Sequence, residues 1–423
     1  MNAMSLEARS ANTDLSRQAD SKAPPGAEVN LADAHAVLQQ VLDPLQADHF
    51  LDEILGQAFT KVEGGAANYR RGLLGSAPDA TILAAHDRLP AKITRHALNP
   101  LGPPPEPGPA ADGDAFRDLI DRHHALGWTV RIPEVRSLTQ ELASFVRALE
   151  ALLLQPVDAT VFWSRGDGAA QVHYDEYDLI VIQLVGAKRW FINTDPPGLN
   201  NPWRGIAEGP PALDPHRVVE VQAGDLLYLP CGTAHRVDSL TDSLHLAIGF
   251  RPLTLREAVI SALDHMSDLD RRLRVGVGNR LAAQVRAGSF GALPAQMRGA
   301  MGQLLELSRS DVFLAQALQR RASREVSKLE KLASPTEPVL LTLDTRLRRH
   351  PLAVGHVIGN AERLDFSHPG GHIHIHRGAE PAVVFLANAA EFQVRDIPGG
   401  LPEDVVLALA QRFVDAGFLM LAT

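Results

Sequence analysis

The chain has 423 residues, 45% of them hydrophobic and 22% charged, ordinary values for a globular protein long enough for two or three domains. Its 41 basic and 50 acidic residues leave a net charge of −9, which argues against a protein whose main task is coating nucleic acid. The single cysteine, Cys231, excludes an internal disulfide framework and suits a reducing compartment.

Residues 1–30 are polar with scattered charges and include Lys22-Ala23-Pro24-Pro25-Gly26, so a disordered tail is expected there. That segment lacks the apolar stretch of a signal peptide, and no run in the chain reaches the length of a membrane span, so the expected location is cytoplasmic. From Leu31 a helical stripe appears: Val37, Leu38, Val41, Leu42 and Leu45. The proline-rich run from Asn99 to Pro109 is predicted as an exposed loop over or beside the active site, because proline removes backbone donors. A helix over about Thr139 to Leu154 is followed by short strand-like runs. These are Ala159–Ser164, Leu179–Val185, Arg189–Asn193, Arg217–Val221, Leu226–Leu229 and Leu244–Phe250. Gly, Pro and Asp turns between short strands predict an antiparallel barrel with a cavity at one mouth.

Helical periodicity returns from Leu255 to about Lys331, and Ser334-Pro335-Thr336-Glu337-Pro338 reads as a linker. The basic clusters Arg271-Arg272, Arg320-Arg321 and Arg346-Leu347-Arg348-Arg349 read as solvated helix faces. Strands are expected at Val383–Leu386 and Phe392–Arg395, then a helix from Pro402 to Gly417. His372-Ile373-His374-Ile375-His376 would put three imidazoles on one strand face. An exposed wing-like hairpin with Ile373 and Ile375 inward is the plainer expectation, and a second metal site the alternative.

The chemistry concentrates in the middle of the chain. His173 and Asp175 are two apart, so on extended backbone they face one way, and His235 follows a Pro230-Cys231-Gly232 turn. Two imidazoles and one carboxylate can hold one face of an octahedral metal, the arrangement of non-haem Fe(II) oxygenases. Gly186-Ala187 reads as a tight turn and Lys188 as the start of the returning strand, where a cation could anchor the far carboxylate of a metal-chelating dicarboxylate.

His173-Tyr174-Asp175-Glu176, Gly186-x-Lys188-Arg189 and the run from Gly224-Asp225 to Gly232-x-x-His235 resemble the Jumonji C class of 2-oxoglutarate oxygenases. Within that class the chain is most similar to the ribosomal oxygenases, over roughly residues 31 to 423; Ser243-Leu244-His245-Leu246 matches too. The resemblance implies an α+β chain: a double-stranded β-helix (jelly-roll, cupin) barrel, a helical dimerisation region and a winged-helix-like C-terminal domain. The expected divisions are 1–30 tail, 31–252 catalytic domain with N-terminal helices, 253–335 dimerisation region and 336–423 winged-helix-like domain. It further implies Fe(II) on His173, Asp175 and His235, with 2-oxoglutarate on Lys188 and O2 as oxidant.

Ser164 and His245 are further candidates for the cosubstrate pocket, and Tyr177, Asp178 and Arg165 for substrate contact. The implied reaction hydroxylates a side chain of a protein or peptide, releasing succinate and CO2. Ribosomal-protein Arg or His is favoured by analogy, and a biosynthetic precursor peptide is the other candidate. A homodimer is expected; a nucleic-acid partner is not. Two other classes stay open at this point: a Zn(II) or Mn(II) cupin isomerase or hydrolase, and a catalytically idle binding protein.

Overall fold

The computed structural model describes residues 31–64, 67–89, 94–106, 110–196, 211–276, 281–334 and 339–422. The expected tail at 1–30, most of the linker and residues 107–109 of the proline-rich run lie outside them. Two compact units divide the chain, one spanning Asn30–Pro252 and the other taking in Leu253–Thr423.

The first unit begins with helix α1 (Leu31–Leu42), which buries Leu38, Val41 and Leu42 along the predicted stripe. Helix α2 (Gly113–Ala125) is started by Asp112, whose side chain accepts from the Ala115 N–H. Helix α3 (Gln140–Leu153) is started by Thr139, whose hydroxyl accepts from the Leu142 N–H. Among the described residues of this unit, ten strands are interleaved with these helices: β1 (Thr60–Val62), β2 (Thr94–His96), β3 (Thr129–Ile132), β4 (Val157–Ser164), β5 (Asp178–Val185), β6 (Ala187–Asn193), β7 (His216–Gln222), β8 (Leu226–Leu229), β9 (His235–Ser239) and β10 (Ser243–Phe250).

Among the described residues they form two antiparallel sheets, one ordered β1-β8-β5-β10-β4-β3-β2 and the other β7-β6-β9. The turn predicted at Gly186 is a corner between the sheets rather than a hairpin, since β5 and β6 pair with different neighbours. Gly186 has φ of 71°, and a Cβ there would lie 2.1 Å from the Asp242 carbonyl oxygen, so no other residue fits the corner. Strands β1 to β3 and β9 escaped sequence reading. Three of them are only three or four residues long, too short for alternation to register.

β10 lies between β4 and β5 and is buried throughout. Leu244, Leu246, Ile248 and Phe250 join the core shared with the helices. A second apolar cluster, with Val181, Trp190, Ile192, Val219, Val221, Leu227 and Leu229, draws on strands of both sheets. The described part of the proline-rich run does not border the cavity described below; the Leu101 N–H donates to the Leu126 carbonyl beyond α2.

Arg70, fully buried, ties this unit together. Its guanidinium donates to the carbonyls of Gly224 (2.7 Å), Val41 (3.0 Å), Asp43 (3.1 Å) and Glu63 (3.0 Å). Arg70→Met strands those buried acceptors and is expected to cost about 3 kcal/mol or more. Urea denaturation with an unchanged slope and a lower midpoint would show it.

In the second unit, helices α4 (Leu255–Leu269), α5 (Leu293–Leu307) and α6 (Asp311–Ser327) confirm the helical periodicity. Beyond them come β11 (Arg346–Arg349), β12 (His356–Gly359), β13 (Arg363–His368), β14 (Gly371–His376), helix α7 (Glu380–Asn388), β15 (Glu391–Gln393), helix α8 (Glu403–Asp415) and β16 (Leu419–Leu421). Small sheets order as β12-β13-β14 and β15-β11-β16. The strand expected at Val383–Leu386 is instead α7. Pro381 opens that helix, and Ala382, Val383, Leu386 and Ala387 make a helical face that a four-residue apolar window cannot reveal. The strand expected at Phe392–Arg395 stops at Gln393 and turns into a 3-10 turn over Val394–Asp396. The basic run 346–349 is strand β11, not a helix face.

Candidate active site

Between the two sheets of the first unit lies a cavity of about 360 Å³. It is hollow for a simple reason. The strand positions that point inward on β10 are His245, Ala247 and Gly249, and the last two are small. Opposite them β4 contributes Phe162, Thr160 and Asp158, and β5 contributes Val181 and Leu179.

His173, Asp175 and His235 meet on its wall, each offering a ligand atom within 4.8 Å of the others. His173 sits in an isolated bridge rather than a strand. Its N–H donates to the His235 carbonyl (3.0 Å), and its carbonyl accepts the return bond from the His235 N–H (2.7 Å). This pairing fixes the two backbones across the gap. Each ring is oriented as well: His173 Nδ1 donates to the Gln171 carbonyl (2.8 Å) and His235 Nδ1 to the Thr233 carbonyl (3.0 Å). Both Nε2 lone pairs are therefore left for another partner. His235 Nε2 lies 3.6 Å from an Asp175 oxygen. Burial, with His173 alongside, holds the His235 imidazole well below its ordinary pKa and keeps it neutral. Among the described residues this is the one histidine–acid group with such spacing.

Lys188 lies at the start of β6, opposite Ser239, whereas His235 lies opposite Ile192. Four strand residues separate those rungs, roughly 13 Å of backbone. Lys188 is 3% exposed, and its ammonium donates to Ser164 Oγ (2.9 Å), which also contacts Thr129 Oγ1 (3.0 Å). Among the described residues no carboxylate pairs with it, and burial pushes its pKa down to about 7. His245 lines the same cavity as the lysine and the triad, stacked on Phe162 (4.9 Å between centroids) and edge-on to Trp190 (5.8 Å). Its Nδ1 is buried without a hydrogen-bond partner among the described residues.

The other candidates divide. Tyr177 borders the cavity. Asp178 does not: it is 1% exposed and accepts from Tyr228 Oη (2.9 Å) and the Cys231 N–H (2.7 Å), securing the turn that leads to His235. Arg165 lies outside as well, paired on the surface with Asp121 (3.1 Å) and Asp242 (3.2 Å). Cys231 backs the site, its thiol against the Asp175 carbonyl (3.5 Å). Sequence reading missed Phe162, Trp190, Arg131 and Asp158. The parity of β4 was the available signal, because Asp158, Thr160 and Phe162 share the face of Ser164.

Residues 137–258 match the profile of the JmjC domain family. Those residues form a JmjC domain. It is 23% identical over 309 residues to the ribosomal protein uL16 3-hydroxylase of Escherichia coli, covering 69% of this chain and 78% of that one. It is 28% identical over 241 residues to the bifunctional lysine-specific demethylase and histidyl-hydroxylase NO66 of Drosophila yakuba, covering 52% of this chain and only 33% of that protein. The fold is similar to that of E. coli YcfD, a ribosomal oxygenase solved with cobalt and 2-oxoglutarate. That match has a TM-score of 0.54 at 20% identity and covers 90% of this chain and 99% of that one. The JmjC domain thus lies in a mixed α+β fold, and its matched residues include the triad, Lys188 and His245. Among the described residues, no helix is long and apolar enough to cross a membrane.

Proposed function

We propose that this JmjC-domain protein is an Fe(II)- and 2-oxoglutarate-dependent oxygenase that hydroxylates a side chain of a protein or peptide. The observation that carries the reading is a 2-His-1-carboxylate group sharing one cavity with a buried lysine that has no carboxylate partner among the described residues. The donor set fits a divalent iron: two imidazoles whose Nδ1 atoms are engaged by backbone carbonyls, leaving Nε2 for a metal, and one carboxylate. Iron with 2-oxoglutarate and O2 would supply the oxidising power, giving succinate and CO2 beside the hydroxylated product.

The chain's own part is placement. Lys188 holds the far carboxylate, with Ser164 keeping the ammonium in position. His245 offers the same cosubstrate a ring nitrogen, and Phe162 and Trp190 keep water away. The target side chain enters past Tyr177, Asp158 and Leu179. A four-coordinate zinc enzyme has no use for the lysine, which disfavours that alternative. The similarity to a uL16 hydroxylase supports a ribosomal-protein substrate. Cytoplasmic location and a winged-helix character for the C-terminal part belong to the same reading.

Homodimerisation is also part of it. α4 exposes Leu255, Val259 and Leu263, and α5 exposes Met297, Met301 and Leu305, each set at four-residue spacing. Converting Met301 and Leu305 to glutamate is expected to halve the mass seen by light scattering; an unchanged mass would remove these helices from the interface.

Anaerobic titration of the Fe(II)-loaded protein with 2-oxoglutarate tests the central claim. A weak visible charge-transfer band is expected in the wild type, at far higher 2-oxoglutarate in Lys188→Ala. No band, together with tight Zn(II) retention, would overturn the oxygenase assignment.

A further inference from the structure

Two cavity residues of opposite charge, Arg131 and Asp158, have no ion-pair partner among the described residues. Arg131 is the more telling. It is half-buried on β3, opposite Phe162, with its guanidinium 6.0 Å from the Phe162 ring centroid. Arg88, Arg122 and Arg217 of this unit also lack an ion pair among the described residues, but they are exposed to water, whereas other arginines are paired. Arg136 pairs with Glu150, Arg165 with Asp121 and Asp242, Arg189 with Glu220, and Arg236 with Asp238. A cation drawn partly out of water without a counter-charge is a cost to the free protein, recovered when an anion arrives.

The cosubstrate is not that anion. Its far carboxylate is already assigned to Lys188, whose ammonium rests on Ser164 beyond the Phe162 rung. Arg131 is opposite Phe162, two residues from Ser164 along β4 toward Asp158 and the entrance. We infer that Arg131 recognises a carboxylate of the peptide substrate, so that the modified segment carries Asp or Glu beside its target residue. The inference deepens the oxygenase reading and rests on it. Given the net charge of −9, the acidic residue is a local feature of the substrate rather than its overall character.

The probes are fluorescein-labelled hexapeptides with a central Arg or His and Glu, Gln or Lys at each flanking position. Equilibrium binding to the full chain is measured first, since it needs no turnover; succinate release follows. The wild type is expected to favour one Glu-flanked series over its Gln counterpart by about tenfold, the scale of one charge-assisted contact. Arg131→Gln should erase that ratio, Arg131→Lys should keep most of it, and Arg131→Glu should turn the preference toward Lys-flanked peptides. Binding indifferent to flank charge, or no binding at all, would overturn the proposal. So would a raised KM for 2-oxoglutarate in Arg131→Gln with the flank ratio intact, which would move the residue to the cosubstrate. Absence of the iron–2-oxoglutarate band is a different failure and would sink the oxygenase reading itself.

Discussion

Asp175→Ala is expected to abolish succinate release and leave the protein folded. Asp175 has 38% of its side chain open, against 4% for His235, and among the described residues its one ion pair is the contact with His235 at 3.6 Å. Its removal costs little packing. A facial site with three protein donors has none to spare, however, so the loss should exceed the roughly 100-fold that follows from losing an outer-shell partner of a metal ligand. The paired measurement is melting temperature and anaerobic Fe(II) affinity. Full activity with weakened iron would overturn the ligand assignment. His235→Ala is a poorer experiment, because the residue is buried and its backbone is bridged to His173.

The second large effect belongs to Lys188. Truncating one partner of a buried charge pair typically costs 2–5 kcal/mol, so Lys188→Ala should raise the KM for 2-oxoglutarate by about 100-fold or more. The pH dependence is the sharper test. Burial lowers the lysine to about 7, and a carboxylate bound beside it raises it again. Below pH 7 the ammonium is present before and after binding, so KM is flat. Above pH 7 binding must take up a proton, and KM climbs by about tenfold per pH unit until the pKa of the complex is reached. Lys188→Arg, charged throughout, should remove the climb. A pH-independent KM in the wild type would show that the lysine is not the cosubstrate's partner.

The grouping of His173, Asp175 and His235 and the place of Lys188 on the cavity wall were legible because their signals are local: a two-residue spacing, a Pro-Gly turn, a glycine corner. The substrate contacts were not. Tyr177 and Asp178 are neighbours on extended chain and point to opposite sides, so one of the two had to be wrong. Asp178 proved to be the one turned away, toward Tyr228 and the Cys231 N–H. Arg165 lies past the end of β4, where strand parity no longer says which way a side chain points. Arg131 sits on a four-residue strand, and its importance comes from what is missing around it, which no sequence motif encodes. The error at Val383–Leu386 is of another kind: four apolar residues fit either period, and only the packing of α7 decides.

β10 carries two separate duties on its two faces. Leu244, Leu246, Ile248 and Phe250 close the core against the helices, while Ala247 and Gly249 leave room for whatever enters. The pleat keeps these sets from interfering. A new taste in substrates is therefore open to this lineage through a methyl group or two at 247 and 249, with no compensating change in the residues that make the chain fold. Stability and specificity, often at odds in enzymes, are inherited here on alternate positions of one strand.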